Sequence, residues 1–254
     1  MKLIVFVCLL PLVSSWWKPG PTVSWQWQLI SSIHTNLDVQ MYDVDLFDAT
    51  DSDLHAIKSR GHILVCYFSA GSYEDWREDA KAFPSSVLGH KLEGWEGEKW
   101  LDIRSSAVKT IMEARMTKAA SRGCDAVEPD NVDGYQNENG VGLTSSDQKD
   151  FNIWLAITAH SKGLSVGLKN AVDLIEDLEP YFDWALNEEC MNYDECHRYK
   201  PFIDKHKAVF HVEYVDNHSE GAFKEKRICS SKNRPVEFNT LIKDWDLTSW
   251  RIAC

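Results

Sequence analysis

Short apolar runs rich in β-branched and aromatic residues alternate with polar or amphipathic stretches of helical length along the whole chain, and this alternation admits few folds. A strand that passes through a helix before the next strand builds a parallel sheet covered by helices. The strand-like runs are 25–29 with 39–47, then 62–69, 100–104, 125–128, 164–169, 183–187, 208–214 and 236–241, about eight in all. Between them, 105–122 sets Val108, Ile111, Met112, Arg115, Met116 and Ala119 mostly at helical spacing and stops at Gly123, which suits a helix end. Residues 144–162 open on Thr144-Ser145-Ser146-Asp147, which supply N-cap hydroxyls, and Gly163 closes them. Shorter helices are expected over 173–181 and 194–206. The 254 residues match the roughly 250 that one eight-stranded α/β barrel needs. No repeat or low-complexity linker divides them. The expected fold is therefore α/β, a (β/α)8 TIM barrel in a single domain. A doubly wound open sheet fits less well: no G-x-G-x-x-G or Walker A motif follows an early strand, and polar residues gather at the ends of many strands.

Met1-Lys2, the apolar run 3–13 and Ser14-Ser15 read as a secretory signal peptide over 1–15, leaving 16–254 as the catalytic domain of an extracellular protein. The run falls short of the roughly 20 apolar residues of a membrane span, so no membrane partner is expected. Removal of Cys8 with the signal leaves six cysteines in an oxidising compartment. Cys190 with Cys196 would staple one loop, and Cys229 with Cys254 would tie down the C-terminal tail. Cys66 and Cys124 lie in apolar, strand-like contexts and read as buried thiols. No paired CxxC or HExxH spacing occurs, so neither metal nor cofactor is expected. Asn217-His218-Ser219 is a glycosylation sequon in a polar stretch. With 39 acidic against 27 basic residues the net charge is -12, which disfavours nucleic acid and would draw in a cationic ligand. A monomer is expected.

In such a barrel the functional groups stand at the carboxyl ends of the strands, where the βα loops converge. Strand ends supply Asp43, then Tyr67 and Tyr73, Arg104, the group Glu128, Asp130, Asn131 and Asp133, Lys169 with Asn170, Asn187 with Glu188 and Glu189, and Glu213 with Tyr214. Glycoside hydrolysis needs one carboxylic acid to protonate the leaving oxygen and a second carboxylate to attack the sugar or activate water. Asp130 and Glu188, on the fourth and sixth strands, would face each other across the mouth. Tyr67, Tyr73, Trp76, Tyr135 and Tyr214 suit stacking against sugar rings. Lys169 could bind a hydroxyl or hold a carboxylate ionised.

These residues lie in motifs that resemble glycoside hydrolase family 114, the endo-α-1,4-polygalactosaminidases, in its fungal form. The motifs are Trp25-Gln26-Trp27-Gln28-Leu29, Tyr42-Asp43-Val44-Asp45-Leu46-Phe47-Asp48, Cys66-Tyr67-Phe68-Ser69-Ala70-Gly71-Ser72-Tyr73, Trp100-Leu101-Asp102-Ile103-Arg104, Val127-Glu128-Pro129-Asp130-Asn131-Val132-Asp133-Gly134-Tyr135, Val166-Gly167-Leu168-Lys169-Asn170, Asn187-Glu188-Glu189-Cys190 and Val212-Glu213-Tyr214. The resemblance implies an endo-acting barrel enzyme on cationic polymers of α-1,4-linked galactosamine or its mixture with the N-acetyl form. It places the catalytic pair on Asp130 as nucleophile and Glu188 as general acid/base, with retention and carboxyl groups about 5–5.5 Å apart. Where the family has Gln, this chain has Glu189. Adjacent strand residues face opposite sides, so only one of Glu188 and Glu189 reaches the cleft. Two other readings remain: a non-catalytic carbohydrate-binding barrel, and a deacetylase, whose Asp and His metal set is not apparent here.

Overall fold

Burial on both faces with a two-residue period shapes every long strand of this chain. The computed structural model describes residues 16–30 and 32–254; the signal peptide expected over 1–15 lies outside them. The strands are β1 (Trp25–Gln28), β2 (Met41–Asp45), β3 (Ile63–Ser69), β4 (Ser72–Glu74), β5 (Leu88–Lys91), β6 (Glu98–Leu101), β7 (Ala126–Asp130), β8 (Ser165–Lys169), β9 (Trp184–Glu188), β10 (Val209–Val215), β11 (Phe238–Asp244) and β12 (Ile252–Ala253). The main sheet runs β1-β2-β3-β7-β8-β9-β10-β11-β12, and its first eight strands are parallel neighbours. Only β12, on β11, is antiparallel.

One set of alternate side chains, Trp25, Trp27, Met41, Val65, Ala126, Trp184, Leu186, Phe210 and Val212, fills the barrel interior. The other set, including Val44, Leu64, Cys66, Phe68, Val127, Val166, Leu168 and Ala185, packs outward against the helices. Two-sided burial explains why the strands read as apolar runs and not as alternating ones. Aromatic rings do most of the filling: Phe210 lies 4.9 Å from Trp25 and 5.4 Å from Trp184 between ring centroids. Each such ring removes about 150–250 Å² from water, worth about 4–6 kcal/mol. Gly167 on β8 makes room for Trp184, since a Cβ there would fall 2.3 Å from its ring. The cylinder closes between β11 and β1 by mixed contacts: Trp25 Nε1 donates to Asn239 O at 3.0 Å, Gln26 Nε2 to Ser249 O at 2.9 Å, and Leu29 N to Leu247 O at 3.3 Å.

The helices are α1 (Asp51–Ser59), α2 (Ser106–Ser121), α3 (Ser145–Ser161), α4 (Ile175–Leu178), α5 (Lys200–Asp204) and α6 (Gly221–Cys229). The eight strands are thus served by six α-helices among the described residues, and β1 passes to β2 without one. Thr144 caps α3 as expected, Ser105 caps α2, and Gly123 and Gly163 follow the two helices with φ of 81° and 77°. The run 100–104 is not a barrel strand. Its first half is β6 of a separate antiparallel sheet, β4-β6-β5, inserted after β3. A short apolar run carries no period that separates a barrel strand from a side-sheet strand.

The cysteines form Cys66–Cys124, Cys190–Cys196 and Cys229–Cys254. The last two are the expected pairs, whereas Cys66 and Cys124 are not free thiols. Cys66 points outward from β3 beside Cys124 in the loop between α2 and β7, so the bridge staples a strand to the connection that returns to its neighbour. Asn217 of the sequon is exposed.

A bridge closing a longer loop removes more entropy from the unfolded chain. Cys66 and Cys124 are 58 residues apart and Cys190 and Cys196 only 6. Urea unfolding should show a loss of about 4 kcal/mol for the Cys66→Ala/Cys124→Ala pair against about 2 kcal/mol for Cys190→Ala/Cys196→Ala. Equal losses would contradict the loop-length account.

Candidate active site

Alternation along β7 sends Glu128 and Asp130 into the barrel while Pro129 between them faces out. Pro129 has no N–H to donate, and the β7–β8 ladder stops at Val127↔Val166, below it. Beyond that point Lys169 closes the end of β8. Its ammonium sits 3.1 Å from Glu128 Oε1, 3.2 Å from Asp130 Oδ1 and 3.3 Å from Glu188 Oε2, with the side chain 3% exposed. One ammonium is thus ion-paired with three carboxylates at once. Burial alone would discharge the lysine, but Asp130, Glu128 and Glu188 outweigh it and hold its pKa well above the usual value. The Trp27 ring lies 4.7 Å from the same nitrogen.

The two upper carboxylates are held differently. Tyr67 donates its hydroxyl to Asp130 Oδ2 at 3.0 Å. Glu188 accepts from Tyr214 OH at 2.5 Å on one oxygen and from Asn170 Nδ2 at 2.9 Å on the other. The mouth is built from strained strand ends: Asn131 after β7 (φ 58°), Asn170 and Ala171 after β8 (45° and 50°) and Glu189 after β9 (60°) are all left-handed. Such conformations cost about 1–3 kcal/mol each and gather where side chains must be aimed. The turn at Glu189 leaves Glu188 facing inward and puts Glu189 on the outer rim.

Beneath the ammonium, Asp43 and Glu128 are fully buried side by side. Trp27 Nε1 donates to Glu128 Oε2 at 3.1 Å. Burial, with the charge of Glu128 adding to it, pushes the Asp43 carboxyl well above its normal range. Glu128 is raised to about 7, again by burial first, although Lys169 pulls the other way. Asp133 at the mouth is raised to about 6 by burial and the charge of Asp130.

The cavity above these groups measures about 200 Å³ and is walled by Trp27, Tyr67, Asn131, Asp133, Asn170 and Tyr214, among others. Past Glu188 it opens into a second hollow of about 390 Å³ carrying Asp173, Glu189, Tyr193 and Glu195. Trp95, Tyr193 and Trp245 stand at the rim, 60%, 66% and 52% exposed, and Trp245 stacks on Tyr214 at 4.1 Å.

Of the residues expected from the sequence, Asp130, Glu188, Tyr67, Asn131, Asp133, Lys169 and Tyr214 line the cavity, and Asp43 and Glu128 form its floor. Six others do not reach it. Glu213 and Asn187 point outward because their strand neighbours Tyr214 and Glu188 point in. Glu213 accepts from Met191 N at 2.9 Å and pairs with Lys224, and Asn187 accepts from Cys190 N at 2.9 Å. Arg104, beyond the side sheet, is bound to Asp102 at 2.7 Å. Tyr73 packs on Phe83, and Tyr135 lies against the outer core. Trp76 is exposed outside the cavity. Conversely, Trp27, Leu29, Leu92, Trp95, Glu98, Trp245 and Leu247 line the cavity without having been singled out. Trp27 and Leu29 left a trace, both standing in the first-strand motif Trp25-Gln26-Trp27-Gln28-Leu29. Cys190, Cys196 and His211 are close enough to hold a metal, but both sulfurs are spent on their disulfide.

Comparison with known proteins agrees with this geometry. The profile of glycoside-hydrolase family GH114 matches residues 11–254. No match was found among curated proteins. The crystal structure of Aspergillus fumigatus Ega3 in complex with galactosamine is similar with a TM-score of 0.88 and 40% identity, over 94% of this chain and 97% of that one. The glycoside hydrolase domain of PelA from Pseudomonas aeruginosa has the same fold, with a TM-score of 0.70 at 10% identity over 92% of this chain and 99% of that one. A family match over nearly the whole chain, with two carboxylates facing one cleft, makes this protein a glycoside hydrolase, a member of family GH114.

Proposed function

We propose that the enzyme is secreted and, as a monomer, cleaves within chains of α-1,4-linked galactosamine, free or partly N-acetylated. The observation that carries this reading is the pair Asp130 and Glu188 held on one ammonium in an acidic, aromatic-rimmed cleft. The cationic polymer fits the net charge of -12 and the carboxylates of the second hollow. Ega3, 40% identical, is described in complex with galactosamine, which favours the same sugar here. The second hollow leaves room for sugar units beyond the cleaved bond, as an endo-acting enzyme needs. Three disulfides suit an extracellular protein.

The spacing favours a double displacement. Asp130 Oδ1 and Glu188 Oε2 lie 3.2 and 3.3 Å from the same nitrogen, so their separation cannot exceed the sum of those distances. That limit, set by the two oxygens nearest the ammonium, accommodates the roughly 5–5.5 Å of retaining pairs and meets the lower end of the 6.5–9.5 Å range of inverting ones. In the first step Glu188, once it has taken up a proton, passes that proton to the glycosidic oxygen while Asp130 attacks the anomeric carbon, so the leaving sugar departs as an alcohol. In the second step Glu188 takes a proton from water, whose oxygen displaces Asp130.

Release of reducing ends from deacetylated polygalactosamine should fall about 10²–10⁴-fold in Asp130→Asn and in Glu188→Gln. A wild type that binds the polymer without cutting it would leave a carbohydrate-binding barrel instead.

The floor makes a second prediction. Where a carboxyl has its pKa raised on folding, the native state holds more protons than the unfolded chain between the two values, so stability falls as pH rises through that window. Asp43, raised furthest above its unfolded value, should impose such a loss from about pH 4 upward. Asp43→Asn, which cannot ionise, should gain on wild type by up to about 1.4 kcal/mol per pH unit as the pH rises above about 4, read from urea unfolding at several pH values. A difference that stays constant with pH would mean that Asp43 titrates normally.

A further inference from the structure

Glu98, like Asp133, is a carboxylate in the cavity that the two-step reaction leaves unused. It does not stand on a barrel strand. It opens β6 of the inserted side sheet, after a hairpin that also brings Leu92 and Trp95 to the cavity. The residue is 7% exposed. Its Oε2 accepts from Ser72 Oγ at 2.6 Å. Ser72 is in turn tied to Ser69 Oγ at 2.6 Å, and Ser69 accepts from Asn131 Nδ2 at 2.9 Å. These groups are all neutral, so they orient the carboxyl without balancing its charge. Its other oxygen has no hydrogen-bond partner among the described residues, and the residue lines the cavity. The two buried arginines on this side of the barrel are taken: Arg77 by Asp45 and Glu74, and Arg115 by Asp79 and Glu74.

A carboxyl buried to this degree without a cation is costly, and a charged ligand would remove that cost. We propose that Glu98 is a specificity residue whose free oxygen accepts the ammonium on C2 of the sugar attacked by Asp130, so that the site prefers the free amine to the N-acetyl form. The proposal rests on the hydrolase reading above and adds a residue and a selectivity to it. Its geometry follows from the sugar: C2 is bonded to the anomeric carbon, so a group that touches the C2 substituent must stand beside the nucleophile. Glu98 lines the same cavity as Asp130 and is linked through Ser72 and Ser69 to Asn131, the residue that follows the nucleophile. Burial, opposed by the Ser72 hydrogen bond and by Arg77 and reinforced by the charges of Glu74 and Asp130, raises its pKa to about 7. An incoming ammonium would therefore meet a carboxyl that gives up its proton readily at neutral pH. An acetamido group carries no charge and leaves the buried carboxylate uncompensated.

Glu98→Gln keeps an acceptor for Ser72 and removes the charge, and Glu98→Asp keeps the charge on a shorter arm. The measurements are KM and kcat on deacetylated polygalactosamine, inhibition constants for galactosamine and for N-acetylgalactosamine, and the melting temperature of each variant. Glu98→Gln should raise KM and the galactosamine inhibition constant about ten- to hundredfold, more than it lowers kcat, while N-acetylgalactosamine binds as before or tighter. Glu98→Asp should recover part of the amine preference. Equal weakening of both sugars, or no weakening of either in a folded variant, would overturn the assignment. If the wild type neither cuts the polymer nor binds galactosamine, the hydrolase reading fails first and takes this assignment with it.

Discussion

Lys169 is a cation enclosed at the barrel mouth, and the arrangement of the site follows from its three contacts. Three carboxylates could not share so small a volume unless a positive charge stood between them, because mutual repulsion and desolvation would protonate or separate them. The lysine can stand there because β8 delivers it at a strand end where the ladder to β7 has lapsed above Val127. Two residues below, Gly167 leaves the space that Trp184 fills, so the ammonium rests over a packed aromatic interior and not a water-filled pore. Sequence, packing and electrostatics thus meet in one side chain, and Asp130 and Glu188 owe their spacing to it.

The site has two tiers. The lower one, Asp43 with Glu128 under Trp27, is sealed from solvent, and burial raises both carboxyls above their ordinary range. The upper one, Asp130 and Glu188, faces the cavity and is steered by hydroxyl and amide donors from neighbouring strands. Around this parallel scaffold the side sheet β4-β6-β5 adds what eight strands do not provide, a wall carrying Leu92, Trp95 and Glu98. Loops on a rigid barrel commonly set which substrate is accepted while strand ends do the chemistry.

Much of this was legible in the sequence, and the failures have physical causes. Runs buried on both faces announced a parallel barrel, and strand-end logic found Asp130, Lys169, Glu188, Tyr67 and Tyr214. The same logic also took Asn187 and Glu213, because composition at a strand end does not say which neighbour faces in; only the register does. Arg104 was chosen because 100–104 is as apolar as a barrel strand. Glu98 was invisible for the opposite reason, being one charged residue in a polar stretch whose place at the mouth depends on an antiparallel sheet. Cys66 and Cys124 looked like core thiols because a bridge spanning 58 residues leaves no local trace. The short helices α1 and α6 were not anticipated, although Thr50 and Asp53 form a capping box at the start of the first.

The central claim is that a single ammonium holds Asp130 and Glu188 close enough for direct attack on the sugar. The most direct test is the anomeric form of the reducing end at the moment of cleavage, followed by proton NMR before mutarotation scrambles it. The account predicts that cleavage of an α-linked galactosamine polymer first releases the α-anomer. Initial release of the β-anomer would mean that water enters between the two carboxylates, and the double displacement through Asp130 would be wrong.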